Sequence, residues 1–324
     1  MSESDLRVER LVPGDESLIK DAIAAYSFAE YRAYRMLGKG IAADIVYQRL
    51  LRTLQEHPPA GVYAARRNGR LVGLVGLGMF PWGEACFGLR MAQWGDLIVI
   101  PSSAGDTVSA ALISAAGEIC RQHGIAHVSC KVDSEAVQSV NALEARGFRL
   151  MSTMVTYVFN RRRHRLRMVK PYAQVRRFEA RDLAEIIAMA RGQFIHSRFS
   201  RDRIFSRDQI DSFYRTWIED ICADPHENVM YVAQRGERLT GFFLFKKDKL
   251  LSALSGLAVY GNGLSGVTVQ GRGTYPSILV TAMQDERVEL AEYETQIDNR
   301  QVLAVWQRLG LDLMRCRHVF HLWL

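Results

Sequence analysis

Long apolar runs and a cysteine pairing pattern are both missing from this chain of 324 residues. Its best apolar stretch, Leu71 to Trp82, is broken by Gly73, Gly76, Gly78 and Pro81. That falls far short of the ~18 residues a membrane span needs, so we read it as a buried strand and expect no membrane partner. The five cysteines, Cys86, Cys120, Cys130, Cys222 and Cys316, are odd in number and form no Cys-x-x-Cys. This argues against a disulfide framework or zinc ribbon and for a reducing, cytoplasmic setting. No histidines stand at the spacing of a metal site, so no metal is expected. The opening Met1-Ser-Glu-Ser-Asp-Leu-Arg7 is acidic and has no apolar segment, which argues against a secretory signal.

Hydrophobic residues make up 48% and charged residues 24%, the balance of a globular protein, and the length suggests about two domains. A net charge of +7 and a pI of 9.2 favour polyanionic partners, which phosphate-rich small molecules satisfy as well as nucleic acid does. The densest basic run is Arg161-Arg-Arg-His-Arg-Leu-Arg167. No aromatic residue interleaves it, so we read residues 161–173 as a basic linker and expect no nucleic acid.

The order of elements is written twice, at an offset of about 165 residues. In the first copy a strand at Leu6–Leu11 precedes helices at Ile19–Tyr34 and Ile45–Gln55. Strands at Gly61–Ala65, Leu71–Met79 and Trp94–Ile100 lead to a helix at Val108–His123. A strand (His127–Val132), a helix (Glu135–Ala145) and a strand (Leu150–Phe159) complete it. The second copy runs through a strand at Gln174–Phe178, helices at Asp182–Arg191 and Arg207–Cys222, and strands at Val229–Gln234 and Leu239–Lys246. Leu251–Tyr260 and Leu264–Val269 read as a hairpin about Gly261-Asn262-Gly263. A helix (Tyr275–Glu286), a strand (Val288–Gln296), a helix (Asn299–Leu309) and a strand (His318–Leu324) follow. Strands interspersed with helices make each copy an α/β sandwich on a mixed sheet. The division expected is 1–160, the linker 161–173, and 174–324.

Between the strand ending near Val267 and the helix from Tyr275 lies Val269-Gln270-Gly271-Arg272-Gly273-Thr274. A glycine loop that opens a helix turns backbone N–H groups toward one point, and the helix N-terminus adds about half a positive charge there. That combination suits a pyrophosphate. Downstream, Asp298-Asn299 opens a helix ending in Leu309-Gly310.

Together these motifs resemble the GCN5-related N-acetyltransferase superfamily, in which Gln/Arg-x-x-Gly-x-Gly/Ala binds the coenzyme A pyrophosphate and an Asn precedes a helix ending Leu-Gly-Phe. Here the loop is Gln270-Gly271-Arg272-Gly273-Thr274-Tyr275, with Tyr275 in place of the last small residue. The helix motif is Asn299 to Leu311 with Trp306 inside it. Within the superfamily, Trp82–Gly88, His196–Phe199 and Phe213–Ile218 are similar to the TDP-fucosamine acetyltransferases, which acetylate a nucleotide-linked amino sugar. The resemblance implies two domains, each a mixed central sheet flanked by helices, with acetyl-CoA as acyl donor to the second. Where that domain has Gly271-Arg272-Gly273, the first has Ala104-Gly105-Asp106, with Ala136 and Leu143 matching Asn299 and Trp306. An aspartate there repels a diphosphate, so the first domain is expected to have lost the coenzyme.

The resemblance also implies roles. Gly271, Arg272, Gly273 and Thr274 would hold the pyrophosphate, although Thr274 could equally cap the helix. Asn299 would bond the pantetheine arm. A backbone N–H from Val267 to Val269 would face the developing oxyanion. An amine of pKa near 10 is only about a few parts in ten thousand neutral at pH 7, so a base or a water relay is needed. Glu294 is the candidate base, with His196 as its rival. Trp306 stands where many family members carry a tyrosine that protonates the leaving thiolate; indole N–H can hydrogen-bond sulfur but not protonate it, and plain packing is the other reading. Acceptor contacts would come from His196, Arg198, Phe199, Tyr214, Trp217 and Gln296; Phe213, Trp217 and Ile218 at helical spacing also suit a core. The expected activity is transfer of acetyl to a primary amine, of a nucleotide-linked amino sugar for surface polysaccharide, by direct attack in a ternary complex. A non-catalytic acyl-CoA-binding or partner-docking module, or an enzyme acting on another small amine, is the alternative. The sequence leaves monomer and homodimer both open.

Overall fold

The computed structural model describes all residues except 1–5, 29, 39, 102–104, 167–171 and 225–227, together with the side chain of Asn262. Ala104 and the end of the basic run at Arg167 lie outside the described residues. In chain order the elements are β1 (Leu6–Arg10), α1 (Glu16–Ala25), α2 (Ile41–Leu54), β2 (Gly61–Arg67), β3 (Arg70–Met79), α3 (Pro81–Phe87), β4 (Met91–Val99), α4 (Gly105–Gln122), β5 (His127–Asp133), α5 (Val137–Glu144) and β6 (Arg149–Asn160). There follow β7 (Gln174–Arg177), α6 (Leu183–Ala190), α7 (Arg198–Arg201), α8 (Arg207–Ala223), β8 (Asn228–Arg235), β9 (Arg238–Lys247), α9 (Lys249–Ser255), β10 (Val259–Val267), α10 (Tyr275–Asp285), β11 (Leu290–Gln296), α11 (Arg300–Arg308) and β12 (Asp312–Trp323).

Two compact units divide the chain: residues 1–153 with 316–324, and residues 154–315. In the N-terminal unit the strand order is β1-β2-β3-β4-β5-β12. Only β4 and β5 are parallel there. One apolar layer packs α4 and α5 on this sheet through Val108, Leu112, Leu143, Trp94 and Phe320. Another, on Ile19, Leu50, Leu54 and Leu74, packs α1 and α2. In the C-terminal unit the order is β6-β11-β10-β9-β8-β7, with β10 and β11 the parallel pair.

The closing strands depart from a simple repeat. Arg317–Trp323 of β12 pairs with β5, and Met154–Asn160 of β6 pairs with β11. Each unit therefore takes its last strand from the other half of the sequence, whereas the sequence division assigned 1–160 and 174–324 without exchange. Val319 and Phe320 are fully buried. The basic run begins pinned to the C-terminal unit: Arg161 donates from Nε to Val288 O at 2.6 Å and from Nη2 to Met283 O at 3.0 Å. Arg163 reaches Asp312 at 3.1 Å.

Two expectations need correction. The hairpin about Gly261-Asn262-Gly263 is absent. Asp248 Oδ1 accepts from Leu251 N–H at 2.8 Å and caps α9, and Val259–Val267 is one strand with a bulge between Gly261 and Leu264. Gly263 is required in it, because a Cβ there would stand 2.3 Å from Leu244 O. Further upstream, the helix expected over Ile19–Tyr34 stops at Ala25. The short helices α3 and α7 were not anticipated.

Because Phe320 fills the core of a unit lying almost wholly upstream in sequence, Phe320→Ala should cost about 3–5 kcal/mol. Hydrogen exchange should show the lost protection along β4 and β5; loss confined to residues 154–315 would contradict the strand exchange.

Candidate functional site

The C-terminal unit is organised by a fork. β10 pairs with β11 only at Val259↔Leu290 and Tyr260↔Ala291. Past the bulge it stays with β9 as far as Val267↔Gly241, while β11 continues along β6 to Gln296↔Met154. Thr268 N–H donates to Thr240 O at 3.0 Å. Alternation of strand hydrogen bonds therefore turns the amides of Ser265 and Val267 to the other edge, which faces the opening. Val269 lies beyond the strand and is 71% exposed, so of the two expected oxyanion donors Val267 has the suitable direction.

The loop closes on itself. Gly271 N–H donates to both the carbonyl and the hydroxyl of Thr268 at 3.0 Å. Thr274 N–H and Oγ1–H both return to Gly271 O, at 2.9 and 2.6 Å. Thr274 is fully buried and makes no side-chain cap, so neither role expected of its hydroxyl holds: it is spent inside the loop. The two glycines serve different ends. A Cβ on Gly271 would stand 1.9 Å from Thr240 O, whereas Gly273 has φ +88° with room around it. Arg272 and Gly273 are the exposed part of the turn at the N-terminus of α10. Arg272 N–H makes only a long bond, 3.4 Å, to Val269 O.

Asn299 ends the other arm of the fork. It stands at the N-cap of α11 without capping it, and its Nδ2 donates to Thr295 Oγ1 at 3.0 Å. Behind it Trp306 is buried, and its Nε1–H donates to Tyr275 Oη at 3.0 Å. The indole also packs against Tyr157 and Tyr293, with ring centroids at 5.6 and 5.8 Å. Burial pushes the Tyr275 phenol up to about 12 against the lowering effect of its hydrogen bonds with Trp306 and Ser265. Tyr293 is raised well above its ordinary value by burial and by Tyr275, and its hydroxyl has no hydrogen-bond partner among the described residues. The sequence reading did not single out Tyr293; its alternation with Glu294 was visible, its unmet hydroxyl was not.

The opposite face of β11 carries Glu292, Glu294 and Gln296, all half-buried. Burial lowers the Arg198 guanidinium, and Tyr214 and Glu294 act against that shift, so Glu294, Arg198 and Tyr214 are electrostatic neighbours. Burial raises the Tyr214 phenol, countered by a hydrogen bond with Ser197 and by Arg198. Tyr214 stacks on Phe194 at 3.8 Å and faces half-buried Trp217 at 5.9 Å. Phe199 departs from its expected role: it is 3% exposed, wedged edge-on against Phe205 and Phe213, and it packs. His196 Nδ1 lies 3.2 Å from Asp298 Oδ2, which Arg201 also engages. The hydrogen bond with His196 and the charge of Arg201 outweigh desolvation and lower the Asp298 carboxyl. Asp298 and Arg201 were not foreseen.

The N-terminal unit repeats the fork with different contents. β4 and β5 pair from Met91↔His127 to Trp94↔Cys130, and Asp96 follows with φ 51°. Arg49 binds Asp96 and also Glu30, which Arg317 meets at 3.2 Å. Asp106 lies in the first turn of α4, Leu143 is fully buried, and Ala136 occupies the N-cap of α5.

A mixed sheet whose two parallel strands part above a loop–helix turn is the fold of the GCN5-related N-acetyltransferases, and the chain carries it twice. Residues 28–148 match the acetyltransferase (GNAT) family model, a span within the N-terminal unit and less than half of the chain. The whole chain is similar in fold to a GCN5-related N-acetyltransferase from Sphaerobacter thermophilus, with a TM-score of 0.66 at 13% identity over 100% of this chain and 97% of that one. It is similar also to a tandem GNAT protein from the clavulanic acid biosynthesis pathway, solved without acetyl-CoA, with a TM-score of 0.58 at 16% identity over 98% of each chain. No curated protein matches the sequence. Among the described residues no helix is long and apolar enough to cross a membrane.

The glycines separate packing from conformation. Gly271→Ala should lower the melting temperature markedly, since its methyl meets a strand carbonyl. Gly273→Ala should cost only about 1–2 kcal/mol for its left-handed backbone. Equal melting temperatures for the two variants would remove the packing requirement at 271.

Proposed function

We propose that the C-terminal unit transfers acetyl from acetyl-CoA to a primary amine by direct attack in a ternary complex. The observation that carries this reading is the fork between β10 and β11, open above an exposed Arg272-Gly273 turn at a helix N-terminus. The residues present fit the coenzyme. Gly273 N–H, Arg272 and the α10 dipole suit a diphosphate, and an unpaired strand edge suits the amides of a pantetheine arm. Bound there, acetyl-CoA supplies a thioester carbonyl open to an amine.

Val267 N–H would hold the carbonyl oxygen as charge builds on it; losing such a donor costs about 2.7–4 kcal/mol of barrier. Glu294 would receive the surplus proton of the attacking amine, directly or through water. Arg198, its electrostatic neighbour, can pair with an anionic group of the acceptor. Trp306 N–H is committed to Tyr275. Tyr293, whose hydroxyl is unmet among the described residues, is therefore the better donor to the departing sulfur. An amine on a nucleotide-linked sugar fits this arrangement: Arg198 would meet its diphosphate, and Trp217 and Tyr214 its rings. His196 and Gln296 would complete that side.

The N-terminal unit is read as a coenzyme-free relative, because Arg49 and Arg317 balance Asp96 and Glu30 at its fork and Asp106 opposes a diphosphate. The occupied Trp306 N–H also favours a second reading, a coenzyme-binding module without catalysis. Thiol release from acetyl-CoA across sugar nucleotides and simple amines decides between them.

Gly273→Asp should abolish coenzyme binding in calorimetry. Gly105→Asp should leave it unchanged, since the atoms nearest a Cβ at position 105 belong to the flexible amide end of Gln138. Equal damage from both would overturn the assignment of one working unit. Tyr293→Phe should slow turnover about tenfold or more while raising the melting temperature, because it removes a buried hydroxyl without a partner. Unchanged turnover would return the sulfur to solvent.

A further inference from the structure

An exposed aromatic ring rests on the phosphate-binding turn. Tyr172 is 56% exposed, yet its ring atoms Cδ2, Cγ and Cε2 lie 3.6, 3.7 and 3.8 Å from where a Cβ on Gly273 would stand. Its backbone is fixed as well: Arg235, the last residue of β8, donates from Nε to Tyr172 O at 2.8 Å. The ring thus leans on bare backbone at the one position in the turn that has both a left-handed conformation and open surroundings. Arg272 is exposed beside it.

We infer that Tyr172 is the platform on which the purine ring of the coenzyme stacks. The inference rests on the coenzyme reading above and extends it from the diphosphate to the nucleotide end. A diphosphate seated at Gly273 carries its adenosine one ribose away, on the solvent side of the turn. There the molecule needs an apolar, planar surface with a free face, and Tyr172 supplies one. A tyrosine ring stacks on any base through its π-face and has only two side-chain torsions to order. No hydrogen-bond readout is involved, so the phenolic hydroxyl is dispensable and the ring is not. Tyr172 touches none of the groups assigned to acyl transfer; its contribution is to hold the donor.

The prediction separates the two ends of the ligand. By calorimetry on the full chain, Tyr172→Ala should weaken coenzyme A about fivefold or more and leave pantetheine, which lacks the adenosine and diphosphate, unchanged. Tyr172→Phe should bind both as the wild type does. Gly273→Asp should bind coenzyme A no longer, whatever happens at position 172. Undiminished coenzyme A affinity in Tyr172→Ala, or an equal loss toward pantetheine, would overturn the platform. A wild-type chain that binds no coenzyme A would instead sink the coenzyme reading and the platform with it, so the two failures are told apart by the wild type alone.

Discussion

The parting of β10 from β11 after Tyr260 is the constraint on which the C-terminal unit depends. Parallel strands in the middle of a sheet ordinarily satisfy each other's amides along their whole length, and unpaired buried backbone groups are costly. Here the bulge at Gly261–Leu264 redirects β10 toward β9, and β11 follows β6 instead. Each strand keeps one partner and gives up the other. The surrendered edge of the C-terminal sheet leaves backbone donors such as Val267 N–H turned away from β9. Gly263 makes this possible, since no side chain fits against Leu244 O.

The same divergence in the N-terminal unit has another outcome. Its bulge carries Asp96 rather than a glycine, and that carboxylate is engaged by Arg49, itself bound to Glu30. Arg317, from the far end of the chain, also joins Glu30. Half-buried charges arranged this way compensate one another's desolvation. The exchanged strand β12 is thereby tied into the unit by charge as well as by its ladder and by Phe320.

Much of the architecture was legible because strand alternation and helix periodicity are local. Most strands of both units, α10, α11 and the two-part repeat could be read from them directly, whereas Leu251–Ser255, read as strand, lies in α9. What could not be read depends on partners distant in sequence. Gly261-Asn262-Gly263 has the composition of a hairpin turn, and only β9 alongside makes it a bulge. The two closing strands look alike in apolar content, so nothing local says which sheet each joins. At the site, Glu294 and Gln296 were named from the sequence, but which face of β11 meets Arg198 required the fold. Thr274 misled for a related reason: a threonine before a helix suggests a cap, and its hydroxyl instead closes the turn onto Gly271. Phe199 lay in a stretch read as acceptor-facing, yet its apolar ring was drawn into the core beside Phe205 and Phe213.

Tyr275 and Trp306 look independent in sequence because 31 residues separate them. In the fold they are one hydrogen-bonded pair. A tyrosine at 275 places a phenol at the root of α10, and the indole at 306 supplies the donor that satisfies it at 3.0 Å. Ser265 on β10 bonds the same oxygen. Trp306 also closes the interior against Tyr157 and Tyr293. The cost of that closure falls on Tyr293, whose buried hydroxyl finds no hydrogen-bond partner among the described residues. A group in that condition gains most from any ligand that brings an acceptor to it, since the desolvation has already been met by the folded chain. The interior thus favours an acceptor atom beside Tyr293.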